Sequence, residues 1–269
     1  MLRLEDGHGD ILKKAMVGQL VPVKALAEQT GISSETVRAL LDGAVDLDAL
    51  EKAAAVLDLK PEALCAIAEG TWMPEVAEFE GLIHIDTPFR GWSVNAYIVH
   101  DKSGNAAIFD TGTDPAPLIQ EVRERGLLVK AIFITHSHGD HIMGLAGLCE
   151  EWEPQVYAVD TEKVPGAQLI EYGAEFTIGD LQLKTIETAG HAADGVSFLI
   201  SGLDQPVVVC GDALFAGSMG GGMVSFRQAL ETTAANLMTL PSETIVCPGH
   251  GPLTTIGLES VHNAFFGEK

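Results

Sequence analysis

The hydrophobic period of the chain changes near residue 76, and that change limits the folds open to it. Up to about residue 75 the apolar residues recur at helical spacing; beyond it they gather into short runs. The runs at 81–86, 96–100, 106–110, 131–135, 156–159, 181–185, 196–200, 207–210 and 244–247 have strand character, and Gly, Asp, Pro or Asn bounds most of them. Helical stretches fall between, at 117–125, 142–150, 226–238 and 258–266. Strands alternating with helices predict an α/β sandwich over residues 76–269, preceded by a small all-helical domain over residues 1–75.

Five helices are predicted in the first part, over 11–20, 23–29, 34–41, 46–57 and 61–69. Pro22 and Pro61 open helices from the N1 position. Ser33 is a good N-cap, and Glu35 follows in the first turn, where the helix dipole favours an acid. Gly31 makes a turn, and Gly70 and Pro74 punctuate the linker.

The 269 residues include 38 acidic and 16 basic side chains, a net charge of −22. Phosphates would be repelled by such a surface, so nucleic acid and anionic membranes are disfavoured as partners. No apolar run approaches the ~20 residues that span a bilayer. The stretch Met1-Leu2-Arg3-Leu4-Glu5-Asp6 lacks the basic start and apolar run of a signal peptide. A cytoplasmic protein is expected. The four cysteines, Cys65, Cys149, Cys210 and Cys247, are scattered without a C-x-x-C pair, which fits reduced thiols.

The chain has nine histidines, and three of them lie with an aspartate in the run Thr135-His-Ser-His-Gly-Asp-His141, directly after an apolar run. His191, Asp212 and His250 have the same setting: each follows a strand-like run and has a glycine beside it. A lone histidine there is ordinarily a satisfied structural residue; the repetition of the setting is what points to a site. His136 and His138 alternate by two along an extended segment and so face one side. Asp140 and His141 follow where the chain turns into a helix. Nitrogen and carboxylate donors suit zinc, iron or manganese. His84, His100 and His262 lack this setting, and His8 is read as part of the N-terminal tail.

The set Thr135-His-Ser-His-Gly-Asp-His141, Gly190-His191, Gly211-Asp212 and Pro248-Gly-His250-Gly251, preceded by Ile108-Phe-Asp110-Thr-Gly112, resembles the metallo-β-lactamase superfamily of binuclear hydrolases. The resemblance covers roughly residues 76 to 257 and implies an αββα sandwich. It also implies that His136, His138 and His191 hold one metal, that Asp140, His141 and His250 hold a second, and that Asp212 bridges them. Asp110 matches a position that orients a ligand histidine. The cofactors implied are two divalent metal ions, zinc first, with iron or manganese compatible. The chemistry implied is attack by a metal-bridged hydroxide on the carbonyl of a small-molecule thioester or ester, with Asp140 and Asp212 in catalytic roles. No G-x-S-x-G nucleophile elbow competes with that reading.

Residues 211–220 and 248–257 are similar to the glyoxalase II branch of thioester hydrolases. Two departures stand out. Gly220-Gly221-Gly222-Met223 replaces that branch's Gly-Arg-x-Asp, so this loop is expected to gain freedom. Residues 258–269 are too few for that branch's glutathione-binding helical domain. A lactonase of the same fold is the alternative. Separately, residues 25–43 resemble the helix-turn-helix of the Cro/phage-repressor family, over roughly residues 10 to 70. That implies presentation of Ser33, Ser34, Glu35, Thr36 and Arg38 to DNA, and a second alternative, a DNA-binding regulator linked to a metal domain. Residues 1–75 carry seven basic side chains against thirteen acidic ones. That balance favours a module for homodimerisation, or for covering part of the second domain, over DNA binding.

Overall fold

The structure, a computed structural model, describes residues 3–77 and 79–267. Met1 and Leu2, read above for a targeting signal, lie outside the described residues, as do the outermost ends of both expected domains.

Five helices come first: α1 (His8–Gly18), α2 (Val23–Thr30), α3 (Ser34–Leu41), α4 (Leu47–Val56) and α5 (Pro61–Glu69). Their boundaries follow local chemistry. Ser33 caps α3 by accepting from the Thr36 N–H, and Asp46 caps α4 by accepting from the Ala49 N–H. Gly31 ends α2 in the left-handed region, at φ 73°, as expected for a turn glycine. Pro61 is the first residue of α5, whereas Pro22 sits one place earlier than expected, as the N-cap of α2. His8 is not in a tail: it opens α1, is buried, and its Nε2 lies 3.1 Å from the Ala44 carbonyl.

Two six-stranded sheets follow. The first holds β1 (Leu82–Phe89), β2 (Trp92–His100), β3 (Asn105–Phe109), β4 (Leu128–Phe133), β5 (Gln155–Ala158) and β6 (Gln168–Leu169), in chain order. The second holds β7 (Glu175–Ile178), β8 (Leu181–Glu187), β9 (Val196–Ser201), β10 (Val207–Gly211), β11 (Ile245–Pro248) and β12 (Thr254–Thr255), also in chain order. Helices α6 (Ala116–Arg125), α7 (Gly139–Ile142), α8 (Leu145–Trp152), α9 (Phe226–Asn236) and α10 (Ile256–His262) connect and cover the strands.

The central strands are apolar on both faces, because each face has a layer to meet. Tyr97, Val99, Ala107, Phe109, Ala131 and Phe133 point inward against Phe198, Ile200, Val207, Val209, Ile245 and Cys247 of the opposite sheet. Their neighbours Ile98, Ile108 and Ile132 point outward, to Leu118 and Val122 of α6 and Leu148 of α8. On the other side Val208, Cys210 and Val246 meet Leu237 and Ile256. The result is the αββα order of layers that the resemblance implies.

The helical part shares a core with the sandwich. Leu12, Leu26, Leu50 and Leu64 form one cluster with Met219, Phe226, Ala229, Ala264 and Phe265. Gly18 lies against the Phe226 ring so closely that a Cβ there would come within 2.1 Å of it. Among the described residues no helix is long and apolar enough to cross a membrane. Cys65, Cys149, Cys210 and Cys247 are all free thiols.

Three short strands were not legible beforehand. Strand β7 reads Glu-Phe-Thr-Ile at a half-exposed sheet edge, where little apolar surface marks it; β6 and β12 are two residues each. Strand β2 begins at Trp92 rather than near 96, because pairing with β1 continues to Phe89 and Trp92 across the Arg90-Gly91 turn. The last helix stops at His262 rather than 266, where Asn263 turns its side chain to accept from the Phe265 and Phe266 N–H groups.

Candidate metal centre

Five strand ends build the site. Asp110 follows β3, His136 to His141 follow β4, His191 follows β8, Asp212 follows β10 and His250 follows β11. Strands of both sheets thus deliver side chains to one edge of the sandwich. The turns there are tight. Asp110 has φ 55° and is buried, an uncommon combination for a non-glycine residue. Gly211, at φ 50°, lies where a Cβ would come within 2.4 Å of the Thr135 Oγ1.

Seven side chains converge in two groups. The ligating atoms of His136, His138, His191 and Asp212 lie within 4.8 Å of one another, and so do those of Asp140, His141 and His250. In the first group His136 Nε2 and His138 Nδ1 are 2.9 Å apart, and His191 Nε2 is 3.1 Å from the same His138 nitrogen. Asp212 faces both groups: its Oδ2 is 3.2 Å from His191 Nε2, while its Oδ1 is 3.4 Å from His141 Nε2 and 3.6 Å from His250 Nε2. Asp140 Oδ2 lies 3.4 Å from His250 Nε2.

A surrounding frame orients the rings. Carbonyl and carboxylate oxygens only accept, so at His141, His191 and His250 the Nδ1 hydrogen-bonded to the frame donates and Nε2 is turned to the centre. His141 Nδ1 donates to Asp110 Oδ2 at 2.8 Å, His191 Nδ1 to the Gly221 carbonyl at 2.8 Å, and His250 Nδ1 to the Ser93 carbonyl at 2.7 Å. Thr135 Oγ1 donates to Asp110 Oδ2 at 2.7 Å and stands 3.1 Å from His136 Nδ1, which it can accept. Asp110 therefore steadies two rings, and its other oxygen accepts the Thr135 N–H. Asp194 Oδ2 accepts the Ser137 N–H at 2.9 Å and holds the His136–His138 turn in place.

The donor set fits a cation. Among the described residues, His141 Nε2 and Asp212 Oδ1 are buried and make no hydrogen bond. Leaving such groups without a partner costs about 1–3 kcal/mol each, more when charged. Burial opposes charge on His141, yet the carboxylates of Asp110 and Asp212 hold its imidazole well above the ordinary value. Burial would raise Asp212, but the imidazoles around it, His141 first, hold its carboxyl well below the ordinary value. Burial keeps His136 well below its ordinary value and lowers His191 as well. Burial that disfavours the charged form of His136 and His191, beside the carboxylate of Asp212, makes a site for a positive ion.

The structure thus brings together every side chain named from the sequence: His136, His138, Asp140, His141, His191, Asp212 and His250 in the two groups, with Asp110 behind them. Asp194, Thr135 and the carbonyls of Ser93 and Gly221 were not singled out. A carbonyl partner has no residue type and leaves no trace in a sequence. The glycine loop also differs from its expectation. Gly220 donates its N–H to the Asp212 carbonyl at 3.1 Å, and Val224 and Ser225 donate to the Gly190 carbonyl. A Cβ at Gly220 would lie 2.0 Å from the Asp212 carbonyl oxygen, and one at Gly222 2.2 Å from Phe226 Cα. These glycines serve close approach rather than freedom.

Beside His250 opens a cavity of about 410 Å³, bordered by Arg3, Glu5, Asp86, Trp92, Ser93 and Gly251. The Arg3 guanidinium lies 4.7 Å over the Trp92 ring. Burial holds the Glu5 carboxyl above its ordinary value.

A profile of the Metallo-beta-lactamase superfamily matches residues 89–250. Among similar curated proteins is the probable metallo-hydrolase YqgX of Bacillus subtilis, 33% identical over 195 residues, which cover 64% of this chain and 91% of that protein. A hydroxyacylglutathione hydrolase of Tolumonas auensis is 34% identical over 162 residues, 57% of this chain and 60% of that enzyme. The chain thus spans about three fifths of the hydroxyacylglutathione hydrolase it matches. Among solved structures, TTHA1623 in a di-iron-bound form is similar at 29% identity and a TM-score of 0.56, over 66% of this chain and 98% of that one.

Proposed function

The chain belongs to the metallo-beta-lactamase superfamily, and from that premise we propose that it is a metal-dependent hydrolase that cleaves a thioester or ester of a small molecule. The observation that carries the proposal is the two-faced carboxylate of Asp212, one oxygen toward each group of ligands. His136, His138 and His191 with Asp212 Oδ2 would hold one divalent ion; Asp140, His141 and His250 with Asp212 Oδ1 would hold the other. Such a pair supplies a water nucleophile active near neutral pH and a Lewis acid for the substrate's carbonyl oxygen.

The chain's own residues do the remaining work. Asp110, through His141 and through Thr135 to His136, keeps two rings from turning. Asp140 is the more exposed of the two central carboxylates. It stands where it can accept a hydrogen bond from the attacking water and aim its lone pair. The cavity beside His250 is read as the place of the substrate's arm, with Trp92 as its apolar wall. Glu5 and Asp86 outnumber Arg3 there, so a glutathione thioester with its two carboxylates is a poorer fit than a simpler thioester or ester.

Zinc is the ion we infer, since nitrogen and carboxylate donors at tight spacing suit it; the di-iron form of TTHA1623 supports iron as the competitor. For residues 1–75 we infer a helix-turn-helix-like module kept as scaffold and homodimer contact rather than for DNA. Its acidic balance supports this, as do Val17 and Leu20, 76% and 88% exposed at the end of α1. Sedimentation of wild type and Leu20→Glu decides it: a monomeric wild type would remove the dimer, and a dimeric Leu20→Glu would remove this contact.

The hydrolase reading is tested with a panel of thioesters, esters and lactones against protein of measured metal content. Two equivalents of metal per chain and turnover of a thioester or ester are expected. Asp212→Ala should abolish turnover and cost metal. One equivalent or fewer, or an active Asp212→Ala, would overturn the reading.

A further inference from the structure

The loop that leads from Asp212 to Gly222 lies between the metal centre and the helical part, and both sides grip it. On its inner side the Gly220 N–H donates to the Asp212 carbonyl at 3.1 Å, and the Gly221 carbonyl accepts from His191 Nδ1 at 2.8 Å. On its outer side Lys14 of α1 donates from Nζ to the Met219 carbonyl at 2.8 Å. The Met219 carbonyl and the Gly220 N–H belong to one planar peptide unit. Lys14 and the Asp212 carbonyl therefore hold opposite edges of the same plate. Gly220 and Gly221 have no side chains to hold the plate otherwise.

The lysine is itself built in. Its ammonium pairs with Asp6 Oδ2, and Ser218 Oγ donates to the same carboxylate oxygen at 2.6 Å. Asp6 is 7% exposed and Ser218 fully buried. The ammonium also lies 5.0 Å over the Phe215 ring, whose plane stands edge-on to the His250 ring. Asp6 and Lys14 both precede the part of the chain that matches the superfamily. A half-buried lysine is costly to place, and apolar packing alone would join the two layers. What packing leaves open is the rotation of the peptide plane between Met219 and Gly220, which has a second glycine after it.

We propose that Lys14 is a positioning residue of the metal centre, setting the Met219–Gly220 peptide plane and through it the orientation of His191 and Asp212. The inference rests on the metal-binding reading above. Lys14→Met keeps the length of the side chain and removes the charge. Asp6→Asn/Lys14→Met removes the pair together and leaves no buried carboxylate unmatched. Leu50→Ala, in the same core, costs stability but removes none of the polar contacts that hold the loop.

Zinc is titrated into each metal-free protein against a competing chelator, and the ring ¹⁵N spectrum of His191 is recorded without metal. Both Lys14 variants should bind one of two zinc equivalents about 10-fold more weakly. The His191 spectrum should pass from a proton fixed on Nδ1 to a mixture of tautomers. Leu50→Ala should keep the wild-type zinc affinity and His191 spectrum. Wild-type zinc affinity and an unchanged His191 spectrum in both Lys14 variants would overturn the proposal, and so would an equal loss in Leu50→Ala. A wild type that binds no zinc would instead remove the metal reading, and the His191 spectrum would still decide the role of Lys14.

Discussion

Glu259 shows how one ionisable residue can tie the frame of a site to pH. Its carboxylate is fully buried and accepts from the Gly217 N–H at 2.8 Å, from Asn263 Nδ2 at 2.7 Å and from Thr254 Oγ1 at 2.7 Å. It thus anchors the outer edge of the loop that follows Asp212. Burial nonetheless outweighs those three donors and pushes its pKa from an ordinary 4.5 up to about 7. A folded value above the unfolded one means that the folded chain holds this proton more tightly. The stability it contributes is full below about 4.5 and is lost as pH rises through about 7. The shift corresponds to an upper bound on the order of 3 kcal/mol. Melting temperature followed from pH 4 to pH 8 should fall more steeply for the wild type than for Glu259→Gln; parallel curves would count against this account. Lys14 and Asp110 act at the same scale: each holds something that in turn faces the centre.

At the scale of elements, the site depends on strands ending where glycine permits what no other residue does. Gly220 and Gly221 are adjacent and alike in sequence, yet only one of them is crowded. A methyl group at Gly220 would lie 2.0 Å from the Asp212 carbonyl oxygen and 2.8 Å from His191 Nδ1, while one at Gly221 meets nothing within 4 Å among the described residues. Gly220→Ala must therefore move backbone, with a cost of several kcal/mol where nothing can give. Gly220→Ala is expected to lose most of its bound metal and activity, and Gly221→Ala to retain both. Metal analysis beside a circular dichroism spectrum separates a displaced site from an unfolded chain. The strands themselves explain why so much of the sandwich was readable. Ile98, Ile108 and Ile132 face helices while Val99, Phe109 and Phe133 face the other sheet, so each run is continuously apolar. Edge strand β7 has no such double burial, and its one short alternation, Glu-Phe-Thr-Ile, is a weaker signal than a continuous apolar run.

At the scale of the molecule, the two parts are not joined by a linker alone. Met219, Phe226 and Phe265 of the second part lie in the cluster built on Leu12, Leu26 and Leu50 of the first. Trp72 stacks on His262, and Lys60 donates its N–H to the Ala264 carbonyl at 2.8 Å. Cutting the cluster would expose several large apolar side chains at about 1.5–3 kcal/mol each. Calorimetry should accordingly show one cooperative transition for the whole chain, and residues 71–269 alone should aggregate or melt far lower. Two well-separated transitions in the full chain would show that the shared cluster does little.

The residue types in the sequence determined where a centre would form. A lone histidine or aspartate at the end of a short apolar run says little, but the repetition of that setting singled out His136, Asp212 and His250 as a set. The helical period of residues 1–75 was equally plain. Only the tertiary structure decided what those helices pack against. Lys14 reads as any lysine on an amphipathic helix, and the carbonyls of Gly221 and Ser93 have no signature at all. Their roles come from contacts that only the folded chain makes, across 205 residues for Lys14, 157 for Ser93 and 30 for Gly221. Side-chain identity is written locally, whereas the direction of a backbone dipole is set by the packing of distant layers.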